Sequence, residues 1–437
     1  MRTAVFLALI FATASASAAE SSAMLGHAQL DRLNSLAIGA SVVIDAFPDG
    51  AGGQSSLRFE RFDVYAPGAR VVVVDASGEH ELPRSPRIEL IGADAAGNVR
   101  ASLSFDPGVE NLSGVGTTSA GTFVVSGVRS ADGVTLHAVP VESTYPPGVV
   151  PQILSDDDAL PSGRPQPSAL EIALAGQPSG SLRNAVVAVD TDNEFMSERF
   201  NNNTTAATAW IADLFTTMNV MYRRDLDVNL QQGSTMLRTT TDPYSANNTP
   251  ADGTDLDEFG TYWQNHYAAI QRSFATLLSG KASSGNSASG IAWVNAYCET
   301  QSQGGSYSIT QIFTNPQIDV SLTALVSGHE LGHNFGAFHT HCTDVTTGFA
   351  PTPTNTIDKC WNESGCYNGQ QSCPTSGPGA PAGTIMSYCN QHQCGPTGQN
   401  VAQFHPTQIT VLNAYIALNT ATCLNTTSDI IFGNGFD

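Results

Sequence analysis

Basic residues are scarce in this sequence, and long apolar runs are missing from most of it. It has 18 lysine and arginine residues against 39 acidic residues, and the formal net charge of −21 excludes a general positive field for nucleic acid or an anionic membrane. After the N-terminus, no stretch reaches the roughly 18 consecutive apolar residues that a membrane-spanning helix requires, so we expect no membrane anchor. Only 13% of the residues are charged, a composition that is common among exported proteins.

Cysteine is absent from the first 297 residues and then occurs eight times. An even set of cysteines in an exported chain predicts four disulfide bonds. A zinc site formed by Cys360, Cys366 and Cys373 is the alternative, although their spacing matches no standard zinc finger. The eight cysteines are Cys298, Cys342, Cys360, Cys366, Cys373, Cys389, Cys394 and Cys423.

The N-terminus has the organisation of a secretion signal. Arg2 gives a positive start, residues 4–12 form an apolar run too short to span a bilayer, and residues 16–18 are an A-x-A cleavage site. We therefore expect residues 1–18 to be a signal peptide and the protein to be secreted to the extracellular space. A buried N-terminal helix is the alternative.

Residues 19–180 are predicted to form a small β-rich domain and a linker. Short apolar runs such as residues 71–74 alternate with turn clusters such as residues 106–108. Many prolines and the acidic run at residues 156–158 indicate a linker from about residue 145 to residue 181. A domain boundary is therefore expected near residue 180.

The remaining chain, residues 181–425, has the pattern of a mixed α/β domain. Residues 183–192 predict a buried strand, and residues 206–222 carry apolar side chains at helical spacing. A second helix is predicted from about Leu256 to Leu278. A third, which carries the histidine motif described below, is predicted from Leu322 to about Asn334 with Ser321 as its candidate cap. A short tail, residues 426–437, follows the domain and is interpreted either as a processing signal or as a disordered end.

The stretch VSGHELGHNFGAFHTHC contains the motif that carries the chemistry. His329 and His333 are four residues apart, so on a helix both imidazoles face one side and can bind one zinc ion. A glycine at Gly336 can take a left-handed conformation, end the helix and turn the chain back, which makes His339 a third ligand. Three protein ligands leave one coordination position open for water, as in a catalytic zinc site.

Glu330 follows the first histidine and is the candidate general base. It would take the proton from a water that attacks a peptide carbonyl and deliver it to the leaving nitrogen. Zinc in such a site lowers the pKa of its water to about 7 and polarises the carbonyl. A bare H-E-x-x-H arises by chance in long chains, whereas this stretch fixes five positions.

These residues resemble the active-site motif of the metzincin clan of zinc endopeptidases. A second stretch, residues 383–389 with the sequence GTIMSYC, looks like the Met-turn of that clan, and the resemblance implies that Met386 supports the zinc ligands from beneath. It also implies an α/β (α+β) zincin-like catalytic domain with a mixed five-stranded sheet, an active-site helix and a Met-turn. The segment between the two motifs looks like an insertion.

Tyr388 lies two positions after the methionine. In astacin-like and serralysin-like metzincins a tyrosine at this position can bind zinc or stabilise the transition state, so the resemblance makes Tyr388 a candidate catalytic residue. The alternative is that its ring only packs in the wall of the site.

Within the clan, the run HELGHNFG looks most like the reprolysin (adamalysin) branch. Reprolysins usually place Asp directly after the third histidine, and this sequence has Thr340 there. By analogy with reprolysins, Cys298 would pair with Cys423. No calcium-binding nonapeptide repeats occur, which disfavours a serralysin-type C-terminal domain, and nothing in the sequence indicates a calcium requirement.

The resemblance also suggests roles for two regions outside the motif. In metzincins an N-terminal domain is usually a prosegment that blocks the zinc, in some relatives through a cysteine. Residues 19–180 contain no cysteine, so inhibition would use another group or steric cover. The alternative is a permanent accessory domain. Residues 290–298 correspond to the edge strand of the cleft, to which an extended peptide can add, although an interior strand fits the residues nearly as well.

The sequence therefore predicts a secreted, monomeric zinc metalloendopeptidase that is made as a precursor and acts on proteins or peptides. One alternative is a catalytically silent zinc-containing adhesion or binding module on a metzincin fold. Glu330 argues for the enzyme, because a binding module needs no base between its histidines. Another alternative, a zinc amidase for non-protein amides, requires a small closed pocket.

Overall fold

The computed structural model describes residues 21–118, 121–154, 182–349, 355–395 and 398–426, and every count below refers to these residues. The predicted signal peptide, residues 155–181 of the predicted linker and the tail beyond residue 426 lie outside the described residues. None of the described helices has the length and apolar character needed to cross a membrane.

Residues 21–154 consist mainly of strands. They are β1 (Ser21–Gly26), β2 (Ser41–Pro48), β3 (Gln54–Arg61), β4 (Val71–Asp75), β5 (Gly78–Leu82), β6 (Ile88–Ala93), β7 (Arg100–Asp106), β8 (Glu110–Thr118), β9 (Gly121–Ser130), β10 (Gly133–Pro140) and β11 (Gln152–Ile153), with helix α1 at His27–Ser35.

From residue 182, the chain contains both strands and helices. The strands are β12 (Arg183–Thr191), β13 (Val228–Arg238), β14 (Phe274–Ser279), β15 (Ser287–Ala292), β16 (Tyr307–Gln311) and β17 (Asn425–Thr426). The helices are α2 (Thr204–Leu226), α3 (Gly253–His266), α4 (Val320–Phe335) and α5 (Pro406–Asn419). Short 3-10 or π-helical turns occupy Val141–Thr144, Phe195–Arg199, Thr340–Cys342 and Cys389–His392.

The first sheet is antiparallel and belongs entirely to the first half of the chain. Its eight strands have the order β1-β10-β9-β8-β7-β6-β3-β2. The two outer strands β1 and β2 contact each other, so the sheet curls around its own apolar core. Phe47, Phe59 and Phe105 are fully buried in that core. This part of the fold agrees with the predicted β-rich character of the N-terminal region.

The second sheet has nine strands, in the order β11-β15-β16-β14-β12-β13-β4-β5 with β17 paired to β12. Five of them, β12 to β16, come from residues 183–311, and among these only β15 is antiparallel to its neighbour. The resemblance predicts a five-stranded sheet, whereas the observed sheet is larger. The hairpin β4–β5 extends it beyond β13, and β11 extends it beyond β15, so segments of the first half cover both edges of the five strands.

Helices cover both faces of the second sheet. On one face α2 and α4 pack together in the largest apolar core, and on the other face α3 packs with Phe259 and Trp263 against the strands. The start of α2 is capped by Asn203, whose Oδ1 accepts a hydrogen bond from Ala206 N at 3.0 Å. Helix α2 also contacts β6, β7 and β8, so it lies between the two sheets.

Two helix predictions are wrong at their ends. The helix predicted from Leu256 to Leu278 ends at His266, and Phe274–Ser279 is strand β14. Every residue of β14 is buried, and such a continuous apolar run in a parallel sheet looks like a helix segment when only its periodicity is read. The active-site helix was predicted to start at Leu322 with Ser321 as its cap, but the cap is Asp319, whose Oδ1 accepts from Ser321 N at 2.8 Å.

A buried acid, Glu89, lies between the first sheet and α2. Its Oε2 accepts hydrogen bonds from the hydroxyls of Ser104 and Thr216. Nearby, Arg87 donates to Asp213 of α2 at 2.8 Å. Burial, and then the negative charge of Asp213, raises the pKa of Glu89 from its ordinary 4.5 to about 8. Burial therefore favours the neutral form of Glu89 in the folded protein.

We expect this acid to make stability depend on pH. A raised folded-state pKa stabilises the fold fully below about pH 4.5, and the stabilisation is lost as the pH rises through about 8. Since one pKa unit corresponds to about 1.4 kcal/mol, the wild type should lose about 2–4 kcal/mol more between pH 5 and 8.5 than Glu89→Gln, which keeps a carbonyl acceptor for both hydroxyls. Urea unfolding of both proteins at the two pH values measures the difference. Equal losses would show that Glu89 does not titrate in this range.

All eight cysteines are paired, in the second half of the chain. The disulfides are Cys298–Cys423, Cys342–Cys366, Cys360–Cys389 and Cys373–Cys394. The first is the pairing that the reprolysin resemblance implies. The alternative of a cysteine zinc site is wrong, because a sulfur in a disulfide is not available as a thiolate ligand.

The disulfides with the longest and the shortest chain separation should differ in their contribution to stability. Cys298–Cys423 closes a chain separation of 125 residues, and Cys373–Cys394 one of 21 residues. Because the entropy lost by the unfolded chain grows with loop length, removing the first pair by double Cys→Ser exchange should cost about 4–5 kcal/mol, and removing the second about 3 kcal/mol. Urea unfolding midpoints of the two double variants test this order. A smaller loss for the first pair would contradict the loop-entropy explanation.

Candidate metal centre

Helix α4 and the turn after it bring three histidines together. His329 and His333 lie on one face of the helix, and both are buried. Gly336 has φ 109° and ψ 9°, a left-handed conformation that ends the helix after Phe335, and its N–H donates to His333 O at 2.8 Å. The chain then turns back, so that His339, which is fully buried, faces the other two rings.

The Nε2 atoms of the three rings converge. His333 Nε2 lies 3.1 Å from His329 Nε2 and 3.2 Å from His339 Nε2. On the far side of the rings, the Nδ1 atoms of His329 and His333 lie 2.7 Å from Ile385 O and 2.8 Å from Ala337 O. A carbonyl oxygen can only accept, so these Nδ1 atoms carry the hydrogen, and both Nε2 atoms present a lone pair to the common centre.

This donor set fits a zinc ion. In a tetrahedral site with metal–nitrogen bonds of about 2.0–2.1 Å, ligand nitrogens lie about 3.3 Å apart, close to the observed separations. Converging lone pairs repel each other unless a cation lies between them, and the carbonyls that bind both Nδ1 atoms are the outer partners that zinc-binding histidines usually have. Within the described residues, the three histidines are one of the groups of side chains whose spacing could hold a metal ion.

Glu330 lies beside this cluster and is 2% exposed. Its side chain crosses directly over Gly290 of β15: a Cβ atom at that position would come within 2.4 Å of Glu330 Oε1. A residue with a side chain at position 290 would therefore displace the carboxylate. Because Gly290 has no side chain, the carboxylate of Glu330 on α4 can reach strand β15.

Met386 lies against the same helix. It is fully buried, and its Sδ is so close to Gly332 that a Cβ there would approach to 2.7 Å. The backbone around it also contacts the histidines, since Met386 O accepts from Thr340 N at 2.9 Å and the preceding carbonyl, Ile385 O, accepts from His329. The methionine segment thus contacts both ends of the H-E-x-x-H-x-x-G-x-x-H stretch.

Tyr388 is 4% exposed and packs among the histidine rings. Its ring centroid lies 4.3 Å from that of His339, 5.2 Å from that of His341 and 6.2 Å from that of His329. Trp361 contacts its ring edge-on at 5.8 Å. The structure therefore brings Tyr388 to the cluster. This position fits both a catalytic role and a role in packing the wall of the site.

A cleft opens between α4 and β15 next to these residues. Its lining includes His329, Glu330, Gly290, Leu325, Ile385 and Tyr388. Two further lining residues, Ile153 and Leu154, come from the N-terminal half of the chain. They belong to a segment, residues 149–154, that we call the strap.

The strap is attached to both walls of the cleft. On one side it pairs with β15: Gln152 N donates to Asn286 O at 2.9 Å, and Leu154 N donates to Ala288 O at 2.8 Å. On the other side, the carbonyl of Ile153 accepts from Asn390 Nδ2 at 3.1 Å and from Gln391 Nε2 at 2.6 Å. The outer edge of β15 is therefore occupied by an extended piece of the same chain.

Two acids near the third histidine are not indicated by any sequence motif. Glu363 Oε2 lies 3.0 Å from His341 Nε2 and 3.9 Å from His339 Nδ1. Burial alone would raise the pKa of Glu363, but its interactions with the two imidazoles lower it to about 2. Asp358, which is 6% exposed, accepts hydrogen bonds from the hydroxyls of Thr340 and Ser387.

The fold is a mixed α/β domain, and its site combines two histidines and an acid on one helix with a third histidine after the helix. This combination of fold and site is typical of zinc-dependent hydrolases. The Reprolysin_5 family model, described as metallo-peptidase family M12, matches residues 181–404, a little more than half of the 437 residues. This chain therefore belongs to metallo-peptidase family M12 and is a reprolysin-like metzincin. No curated protein matches it in a direct comparison.

Family membership identifies the chain as a metallopeptidase and implies protein substrates; zinc dependence is general in this family. The resemblance predicted from the two sequence motifs is thus confirmed at the level of the family. The roles of individual residues are treated as proposals below.

Proposed function

We propose that this protein is a secreted zinc metalloendopeptidase that is made as a precursor. The observation that carries the proposal is the convergence of three histidine Nε2 atoms, since those of His329 and His339 lie 3.1 Å and 3.2 Å from that of His333. This cluster lies beside the buried Glu330. Family membership supports a peptidase, and the contacts around the cluster suggest the role of each residue.

His329, His333 and His339 would hold the zinc ion through their Nε2 atoms. Bound there, zinc supplies a Lewis acid for the peptide carbonyl and lowers the pKa of its water toward neutrality. The two Nδ1–H···O=C hydrogen bonds keep the rings of His329 and His333 in the orientation and tautomer that this binding requires.

Glu330 would move the proton. Its carboxylate takes a proton from the attacking water and delivers it to the nitrogen of the departing amine, so that the peptide C–N bond breaks and a carboxylate and an amine are released. This role is supported by its location on α4, a rigid element, one residue after His329. Met386 would support the ligands from below through its contact with Gly332. Tyr388 would donate from its hydroxyl to the substrate carbonyl oxygen as negative charge develops there.

The substrate would bind as an extended peptide along the outer edge of β15. Main-chain hydrogen bonds at a strand edge need no particular side chains, which suits an endopeptidase for proteins. The strap supports this proposal, because Gln152 and Leu154 already form such hydrogen bonds with β15.

The strap would also keep the precursor inactive. A substrate cannot pair with β15 while residues 152–154 occupy its edge, and Ile153 and Leu154 line the cleft beside His329 and Glu330. Of the mechanisms left open by the lack of cysteine in residues 19–180, this contact favours steric cover. Activation would then require displacement of the strap, which follows a domain that stays attached through β4 and α2.

Secretion and removal of residues 1–18 complete the proposal. Four disulfides fit an oxidising, extracellular environment. We expect the mature protein to act as a monomer on protein or peptide substrates, without nucleic acid or a membrane span.

The test measures casein hydrolysis and zinc content for two forms of the protein. One form is the intact chain. The other is cut between residues 155 and 181 and then separated from its N-terminal part in mild urea. We expect one zinc per chain, weak hydrolysis before and strong hydrolysis after this treatment, and loss of activity with a zinc chelator. Bound zinc without hydrolysis in either form would favour the adhesion or binding module. Hydrolysis of small amides but not of casein would favour the amidase.

A further inference from the structure

Of the three histidines, His339 is not positioned by the helix. His329 and His333 are fixed on α4, whereas His339 lies beyond the turn at Gly336, directly before the short 3-10 turn Thr340–Cys342. The location of its ring therefore depends on contacts with other parts of the chain. Many of these contacts come from residues 355–367, which we call the 355–367 segment.

Asp358 of this segment joins the two sides of the centre. Its Oδ2 accepts hydrogen bonds from Thr340 Oγ1 at 2.5 Å and from Ser387 Oγ at 2.6 Å, and its Oδ1 accepts from Cys360 N at 3.1 Å. Thr340 follows the third histidine, and Ser387 follows the methionine. A buried carboxylate with three donors is a strong and directional link, so Asp358 fixes the distance between these two backbone segments.

Glu363 of the same segment approaches the ring itself. Its Oε2 lies 3.9 Å from His339 Nδ1 and 3.0 Å from His341 Nε2. The ring of His341 stacks on that of His339 with centroids 5.3 Å apart and planes 8° from parallel. At 3.9 Å the contact with His339 is electrostatic. A negative charge on the Nδ1 side of a metal-binding histidine favours one orientation of the ring and makes its Nε2 a better electron donor.

The 355–367 segment is itself held in place on both sides. The disulfide Cys342–Cys366 attaches it to the turn that follows His339, and the disulfide Cys360–Cys389 attaches it to the methionine side of the centre. Asp358 and Glu363 are therefore presented by a covalently fixed backbone. The backbone that carries these two acids therefore loses little conformational freedom when a ligand binds at the centre.

We propose that the 355–367 segment positions the third histidine, with Asp358 fixing its backbone and Glu363 orienting its ring. Both acids are positioning residues that act through His339 and do not touch the substrate. The inference rests on the proposed function, because it assumes that His339 binds zinc.

The test uses the full chain and two single variants. Thr340→Val keeps the shape of the buried side chain but removes the hydrogen bond to Asp358, and Glu363→Gln keeps the shape but removes the charge beside His339. Loss of a partner of a metal ligand typically costs about 10–100-fold in metal affinity, so we expect zinc dissociation constants, measured by competition with a chelator, to rise by about tenfold or more. The visible spectrum of the cobalt-substituted protein should also change, because it reports the geometry of the ligands.

Controls separate positioning from a general loss of stability. Thr346→Val makes the same exchange at an exposed site and should leave zinc affinity and the cobalt spectrum unchanged. Thr340→Ser restores the hydroxyl and should recover most of the affinity. If Thr340→Val does not fold, Glu363→Gln decides alone, since its side chain is partly exposed.

The possible outcomes distinguish this inference from the proposed function. Unchanged zinc affinity and cobalt spectra in both variants would overturn the positioning role, even if the unfolding temperature fell. Failure of the wild type to bind zinc or cobalt at the histidines would instead overturn the proposed function itself.

Discussion

Replacing Glu330 by Gln is expected to lower casein hydrolysis by about 10³-fold, within the range of about 10²–10⁴ that general acid–base catalysis contributes. The amide has nearly the shape of the carboxylate, so the close contact with Gly290 is kept. It cannot take a proton from the attacking water. The proposed zinc ligands are the three converging histidines and do not include Glu330. The zinc content of the variant should therefore equal that of the wild type.

The measurement compares initial rates of hydrolysis and zinc per chain for wild type, Glu330→Gln and Glu299→Gln. Glu299 is an exposed glutamate in the loop after β15, so its exchange controls for the change of charge. Equal rates for Glu330→Gln and wild type would exclude Glu330 as the base. Loss of zinc together with activity would assign Glu330 to the metal site and leave its catalytic role undemonstrated.

Breaking the pairing of the strap is expected to activate the intact chain. The double variant Gln152→Pro with Leu154→Pro removes the two N–H donors to Asn286 O and Ala288 O, because proline carries no backbone N–H. Each hydrogen bond contributes about 0.5–1.5 kcal/mol, so the pair contributes about 1–3 kcal/mol to the covered state. This change corresponds to a rise of about 5–150-fold in the fraction of open clefts, and therefore in casein hydrolysis.

Val150→Ala is the matched control, because Val150 belongs to the strap but its side chain is 66% exposed. It should leave the rate of the intact chain unchanged. An unchanged rate in the double proline variant, with normal thermal unfolding, would favour a permanent accessory domain over an inhibitory one. Cutting the chain after the strap without urea is a further check, since β4 and β13 should keep the N-terminal region attached and limit activation.

The sequence by itself determined the helix that carries the histidines and the family to which the chain belongs. The spacing of His329 and His333, the acid between them and the glycine at 336 are local features, and the geometry of a helix and of its left-handed end converts them directly into positions in space. The pairing of Cys298 with Cys423 followed from the resemblance and is observed. Local periodicity was less informative where an apolar run follows a helix, as at Phe274.

Only the tertiary structure decided what surrounds those histidines. Reprolysins usually carry an acid directly after the third histidine, and here Thr340 binds Asp358, which is 18 residues away. The strap reaches β15 from more than 130 residues away in the sequence, as the pairing of Gln152 with Ser287 shows. Such contacts depend on how loops and sheet edges meet, and neither hydrophobic periodicity nor motif spacing records this, because both describe only neighbours along the chain.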